Sequence, residues 1–483
     1  MTEPDSSGLR RRLRRWRTVG AQWIRESASA IRTIRQHESV AGRAWFDRSV
    51  ILTYAVLTGA IAVAFTLMSE AAHESFEFIS RATPAGAWVT LLWTPALTVA
   101  VLWWTRRFAP GALGSGIPQV LRTLDDGLYP SQRGWLVSVR LSIQKVLLVC
   151  GGMLAGLSIG REGPMVQIGA GVMHHARRWL RPNSGIDSHD LLVAGAAAGI
   201  AAAFNTPLGG VIFALEQLSR RRSLSQSTVV IASIVLAGLV AVAAFGNNTY
   251  FGVLRVQQLN WSLLGPGLLV ALASGLAGGL LSRLIVVSAR GLPDRFSRWR
   301  AQHPLRFAAG CALGVALIGI ATGGATSGAG YTPTRALLEA EAQLPGVYTV
   351  LKFCATWLSA WSGVPAGVFA PSLSIGAGIG NDVAVLLGMS REAAIPLIAL
   401  GMVGFLAAAT QGPLTAFIIV MEMVSGHSMV LSLMACAMLA TGVARIVGLP
   451  MYQDLAALIK LPEPTEAPRP PAPGSPSPES RPR

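Results

Sequence analysis

The sequence predicts an all-α polytopic membrane protein made of two homologous halves, and three observations carry that prediction. The first is composition. Of the 483 residues, 52% are hydrophobic and 13% charged, against roughly 25% charged in an ordinary soluble domain, and mean hydropathy is +0.49. The second is a series of apolar runs, of which residues 49–68 and 87–104 are each long enough to cross roughly 30 Å of hydrocarbon as a helix. The third is an internal repeat. Ala203-Phe204-Asn205-Thr206-Pro207-Leu208 followed by Glu216 matches Ala409-Thr410-Gln411-Gly412-Pro413-Leu414 followed by Glu422, with Pro207 to Pro413 and Glu216 to Glu422 both 206 apart. Ile168-Gly169-Ala170-Gly171 likewise matches Ile375-Gly376-Ala377-Gly378 at a spacing of 207.

Taken in chain order, residues 1–45 form a basic arm that includes Arg10-Arg11-Arg12-Leu13-Arg14-Arg15-Trp16-Arg17. No apolar stretch with a cleavage site follows directly, so the arm does not read as a signal peptide. The formal net charge of +16 invites a nucleic-acid reading, but no recognition module accompanies it. The arginines lie in the arm and in short loops between apolar runs, which fits positive-inside topology with both termini cytoplasmic and contact between the arm and anionic membrane lipid. Cys150, Cys311, Cys354 and Cys436 sit inside apolar runs without metal-ligand spacing and read as reduced core residues.

A transmembrane domain is expected over 46–460, with halves at about 46–250 and 260–460. The run 134–159 predicts one long helix carrying Lys145, which then needs a partner or water. Further apolar runs cover 191–203, 207–218, 228–244, 263–288, 307–321, 348–361, 368–387, 394–410, 413–424 and 429–447. Several are too short to span alone and are separated by Gly and Pro. Irregular backbone at membrane depth has to line a protected path, because lipid cannot satisfy its peptide groups. Repeated halves with broken helices put a transporter's binding site near the midplane. Residues 461–483 are Pro-rich and read as a disordered tail.

The chemistry concentrates in Gly160-Arg161-Glu162-Gly163-Pro164. A charge near the bilayer centre costs roughly 2.5–3.5 kcal/mol on insertion scales, so Glu162 calls for a function. Gly and Pro here predict a helix start, whose unpaired N–H groups and dipole favour an anion. A tethered carboxylate at such a point can hold the anion's place and leave it on protonation, which is the behaviour of a gate. Three further Gly/Pro helix starts are legible at 114–118, 363–371 and 448–452. If the four converge, their amides with the hydroxyls of Ser115 and Tyr452 can replace an anion's hydration shell. Each has a plainer reading: Ser115 as an N-cap, Tyr452 as an interfacial anchor, Arg161 as the charge that neutralises Glu162, and Glu216 and Glu422 as structural groups. A remote alternative is an intramembrane serine hydrolase, since Gly156-Leu157-Ser158-Ile159-Gly160 fits G-x-S-x-G ahead of His174 and His175. Its motif expects a strand-to-helix turn rather than the end of an apolar helix.

Gly114-Ser115-Gly116-Ile117-Pro118, Gly160-Arg161-Glu162-Gly163-Pro164 and Gly367-Val368-Phe369-Ala370-Pro371, in this order and followed by Tyr452, resemble the signature motifs of the CLC family of chloride channels and chloride/proton antiporters. The resemblance implies an inverted repeat of about eighteen helices and a homodimer with one chloride path per subunit. It needs no cofactor or metal. It also implies anion coordination by Ser115, Gly116, Ile117, Tyr452 and the amides of Arg161, Gly163, Val368, Phe369 and Ala370, with Glu162 as the gate. The family's cytoplasmic CBS domains have no counterpart, as in prokaryotic members, so nucleotide regulation is not expected. Antiporters of the family usually carry a second Glu where this chain has Gln217. An amide cannot release a proton, so this reading favours channel-like or weakly proton-coupled chloride flux, with chloride/proton antiport as the alternative.

Overall fold

The computed structural model describes residues 45–81, 86–182, 184–219, 227–246, 251, 261–341 and 344–464. Nearly all of the basic arm and of the Pro-rich tail therefore lie outside the described residues. In the first half the helices are α1 (Trp45–Arg81), α2 (Gly86–Phe108), α3 (Ile117–Thr123), α4 (Pro130–Leu136), α5 (Val139–Leu154), α6 (Glu162–His175), α7 (Ser188–Phe204), α8 (Pro207–Phe213) and α9 (Ser227–Phe245). The second half holds α10 (Leu264–Arg290), α11 (Arg295–Gln302), α12 (Pro304–Ala321), α13 (Tyr331–Leu338), α14 (Val347–Trp361), α15 (Phe369–Leu386), α16 (Arg391–Thr410), α17 (Pro413–Met423), α18 (Val430–Val447) and α19 (Met451–Ala457). Among the described residues the only β-type pairing is a single bridge between Gly160 and Gly367.

Two kinds of helix are distinguished by burial. The most apolar stretch of α16 is 94% buried and that of α15 83%, whereas α2, α9, α12 and α18 bury 33%. The former make the centre and the latter present apolar faces outward, as a lipid-facing shell must. Close approach at the centre is made by glycine on glycine. A Cβ on Gly169 or Gly376 would meet the carbonyl oxygen of Gly195 or Gly401 respectively, so α6 packs on α7 as α15 packs on α16. Small residues drive such contacts in membranes, where backbones that approach closely gain dispersion energy.

The repeat seen in the sequence recurs at the level of contacts. Glu422, on α17, accepts hydrogen bonds from Leu208 N (3.2 Å) and Gly209 N (2.7 Å) at the start of α8. Glu216 does the same for Leu414 N (3.0 Å) and Thr415 N (2.8 Å) at the start of α17. Both carboxylates are therefore reciprocal helix caps. Lys145 donates to Ala112 O and Gly114 O, both at 2.7 Å, and Lys352, 207 residues later, donates to Thr326 O and Gly328 O, both at 2.9 Å. Each buried lysine thus ties down the loop ahead of a short helix, α3 or α13. Glu216→Ala is expected to lower stability by about 2 kcal/mol, the loss of a charged cap, and Glu216→Gln to recover part of it. Thermal unfolding in detergent measures this, and an unshifted midpoint for Glu216→Ala would refute the capping role.

One expected element is broken. Residues 134–159 do not form a single helix: Ser138 is extended (φ −157, ψ 156) and its Oγ accepts from Leu141 N, starting a new helix. Ser and Thr compete with the helical backbone in this way. The helix then stops at Leu154, and Gly156 takes φ +76. Residues 155–161 are thereby free to run irregularly into the interior.

Candidate anion site

The four Gly/Pro stretches do start helices, at Ile117, Glu162, Phe369 and Met451. Two of these starts are built alike. In α6 the first intrahelical bond runs from Met165 N to Arg161 O (2.9 Å), and in α15 from Ser372 N to Val368 O (3.0 Å). Pro164 and Pro371 occupy the third position of each helix and have no N–H. Each start therefore presents two amides without an intrahelical partner, Glu162 and Gly163 in one, Phe369 and Ala370 in the other. The starts are pinned together by the Gly160–Gly367 bridge, N to O 2.7 Å one way and 3.0 Å the other. Only glycine permits that approach, since a Cβ on Gly367 would lie 2.7 Å from Gly160 O.

Gly114, Ser115 and Gly116 close the ring from α3, with Ala366 N donating to Gly114 O (3.2 Å). From α19, the Tyr452 ring stacks on Phe369 at a centroid distance of 6.1 Å and 12° between planes. Ser115 Oγ, Tyr452 OH and Glu162 Oε2 are all buried without a hydrogen-bond partner from the protein. An unpaired buried polar atom costs about 1–3 kcal/mol, so a cluster of them beside two helix N-termini is built for a ligand. Hydroxyls and amides donate, and a donor-rich pocket takes an anion.

Ser115, Val368 and Tyr452 line a cavity of about 530 Å³ whose other walls include Arg106 and Arg300. A second cavity, of about 750 Å³, is lined by Arg161 and Tyr331 with Glu70, His73, Glu74 and Glu77 of α1. Glu162 lines neither cavity: it is fully buried, its Oε1 accepting a hydrogen bond from Tyr331 OH in the wall of the second.

One of the expected anion ligands has other work. The amide of Gly116 donates to Gln119 Oε1 (2.9 Å), so Gly116 contributes shape, with φ +108, rather than a donor. Ile117 follows it as the first residue of α3 and is fully buried. The Arg161 guanidinium does not neutralise Glu162. It turns to α1, bonding Glu70 Oε1 (3.0 Å) and Ser69 Oγ (3.1 Å), with its carbon 5.4 Å from the centre of the Tyr331 ring. Full burial of an arginine demands several acceptors, and α1 supplies them where the first turn of α6 does not. The hydrolase reading fails on geometry: the Ser158 hydroxyl pairs with Thr356 Oγ1 (2.9 Å), and His174 and His175 lie at the far end of α6.

Sequence reasoning missed Tyr331, Glu70 and Lys352. A signal for Tyr331 was present: Gly328-Ala329-Gly330-Tyr331 repeats Gly114-Ser115-Gly116-Ile117, with Gly114 to Gly328 and Gly116 to Gly330 both 214 apart. Gln217 is buried inside a π-helical turn, Ala214–Leu218, that continues α8, and its Nε2 has no protein partner.

On residues 115–118, 363–371 and 451–452 alone, Ser115→Ala with Tyr452→Phe removes both free hydroxyls and leaves the amides. Chloride affinity of this double variant, measured by calorimetry, is expected to fall about tenfold, the loss of one or two hydrogen bonds to an ion. Wild-type affinity would remove both hydroxyls from the site.

An all-helical membrane domain holding a buried, donor-rich pocket between two cavities is an anion-transport protein. The chain belongs to the CLC family: a family model described as voltage gated chloride channel matches residues 96–445. It is a multi-pass membrane transporter and not an enzyme. It is 28% identical over 433 residues to the H(+)/Cl(-) exchange transporter ClcA of Citrobacter koseri, covering 85% of this chain and 88% of that one. It is 30% identical over 392 residues to the protein of the same name from Cronobacter sakazakii, covering 76% and 79%. A solved structure described as a slow cyanobacterial Cl-/H+ antiporter matches its fold with a TM-score of 0.70 at 22% identity, over 85% of this chain and 97% of that one.

Proposed function

We propose that this chain exchanges chloride for protons across a bacterial inner membrane. The observation that carries the reading is the convergence of Ser115 Oγ, Tyr452 OH and Glu162 Oε2, all buried and unpartnered, on the paired starts of α6 and α15. Chloride is held by the two hydroxyls and by the amides of Ile117, Gly163, Phe369 and Ala370. The backbone of Arg161 and Val368 completes the ring. Glu162 is the external gate: ionised, it competes with chloride for the helix N-termini; protonated, it yields. The relatives named as H(+)/Cl(-) exchange transporters support coupling of that protonation to chloride movement.

The domain boundaries proposed are a cytoplasmic arm over 1–45, the transport domain over 46–460 and a disordered tail over 461–483. Its two halves form an inverted repeat, a relation supported by the reciprocal capping of α8 by Glu422 and α17 by Glu216. Two copies associate as a homodimer, each with its own path, and both termini face the cytoplasm.

Gln217 favours a second reading, channel-like or weakly coupled conduction. Its amide does not titrate, so protons reach Glu162 from the cytoplasm only along water footed on such polar groups. Glu216 is no substitute while it caps α17. Reversal potentials of purified protein in liposomes, under separate chloride and pH gradients, decide between them. Exchange requires that a chloride gradient alone drive protons uphill at zero voltage. Reversal that tracks chloride at every pH, with uphill proton movement gained only in Gln217→Glu, establishes conduction instead.

A further inference from the structure

We infer that Tyr331 is a latch on the gate: its hydroxyl holds the Glu162 side chain in the position that blocks the path between the two cavities. This rests on the reading of Glu162 as the gate and extends it to a residue outside the three signature motifs. Tyr331 is the first residue of α13, set by Gly330 at its N-cap (φ 83), whose loop is held by Lys352 through Gly328 O. The ring is fixed from one side by the Arg161 guanidinium at 5.4 Å, itself bound to Glu70 on α1. The hydroxyl donates to Glu162 Oε1. It thus approaches from the second cavity, whose wall carries Glu70, Glu74 and Glu77 beside Arg81, Arg161 and Arg335, while the other carboxylate oxygen stays without a partner.

The latch distinguishes the two states of the gate. A phenol donates to a carboxylate about twice as strongly as to a neutral acid. Ionised Glu162 is therefore held in place, and protonation weakens the hold at the same moment that it removes the charge competing with chloride. The other ionisable groups facing Glu162 are Tyr452 from α19 and Arg161 at the start of its own helix. Lys352 of α14 stands behind the Gly328–Gly330 loop, and Glu70 and His73 of α1 line the cavity beyond Tyr331. The first turns of α15 carry no ionisable side chain. Only Tyr331 gives a hydrogen bond directly to the carboxylate among the contacts of the described residues.

Tyr331→Phe keeps the ring over Arg161 and deletes the hydroxyl alone. Chloride efflux from liposomes at neutral pH is expected to rise several-fold, and the pH of half-maximal efflux to move up by about one unit, the shift equivalent to losing one charge-assisted hydrogen bond. In a Glu162→Gln background the same substitution should change neither rate nor pH profile, since the gate it acts on is gone. A purely structural tyrosine would slow both backgrounds alike. Wild-type efflux and pH profile in Tyr331→Phe, with Glu162→Gln still flattening the profile, overturns the latch and leaves the gate intact. A Glu162→Gln protein that keeps the wild-type pH response overturns the gate and the latch together.

Discussion

Glu162→Gln is expected to reduce proton movement to background, a loss of at least tenfold, while chloride flux persists and loses its pH dependence. Glutamine has the size of the protonated side chain and carries no charge at any accessible pH. In the wild type the carboxylate lies at the first residue of α6, where the helix dipole and two free amides stabilise a negative charge. On the proposed function chloride takes the same amides, so the ionised side chain and the ion exclude one another. Taking away the charge removes the competitor, and Glu70 cannot replace it while Arg161 holds it at 3.0 Å. Stopped-flow efflux from liposomes over a series of pH values measures the outcome. A variant with undiminished proton movement would place the gate elsewhere.

Gly116→Ala should do comparable damage by a different route. Gly116 has φ +108, a conformation in which an L side chain is strained, and an added Cβ would lie 2.6 Å from Gly163 O and 3.1 Å from Gln167 Cβ. The obstacle is backbone at the start of α6, so it cannot swing aside. Strain and overpacking each cost about 1–3 kcal/mol, and both fall on the contact that sets Ser115 against the α6 amides. Chloride affinity is expected to drop at least tenfold, with a lower yield of folded protein on size exclusion. Gly134→Ala is the matched control. A Cβ there meets nothing within 4 Å, and alanine suits the interior of α4. Wild-type chloride affinity in Gly116→Ala would mean that the α3 loop can move away from α6 without loss.

The two variants also mark how far the sequence reached. Glu162 was singled out because a charge among apolar runs is costly at membrane depth and therefore calls for a function. Gly116 was included as a ligand, and the structure gives it a different duty, because whether its amide is free depends on where Gln119 folds back. The long helix expected over 134–159 failed for a related reason. Its hydrophobicity is continuous, and the choice between one helix and two turned on a single Ser138 hydroxyl taking Leu141 N. Hydrophobic pattern does not report such a choice.

By itself the sequence determined the membrane class, the repeat and the four helix starts, and it brought Ser115, Glu162 and Tyr452 forward as candidates. All of these are carried by composition or by Gly, Pro and charge within a few positions, where steric and capping forces act over a single helical turn. Tertiary structure alone decided that the starts of α6 and α15 are bridged through Gly160 and Gly367, that Arg161 turns to Glu70, and that Tyr331 reaches Glu162 across 169 positions of chain. Those contacts join segments whose local sequences are indifferent to one another. They follow from glycine-on-glycine packing of α6 with α7 and α15 with α16, which fixes the distances between elements, and no short stretch encodes that distance.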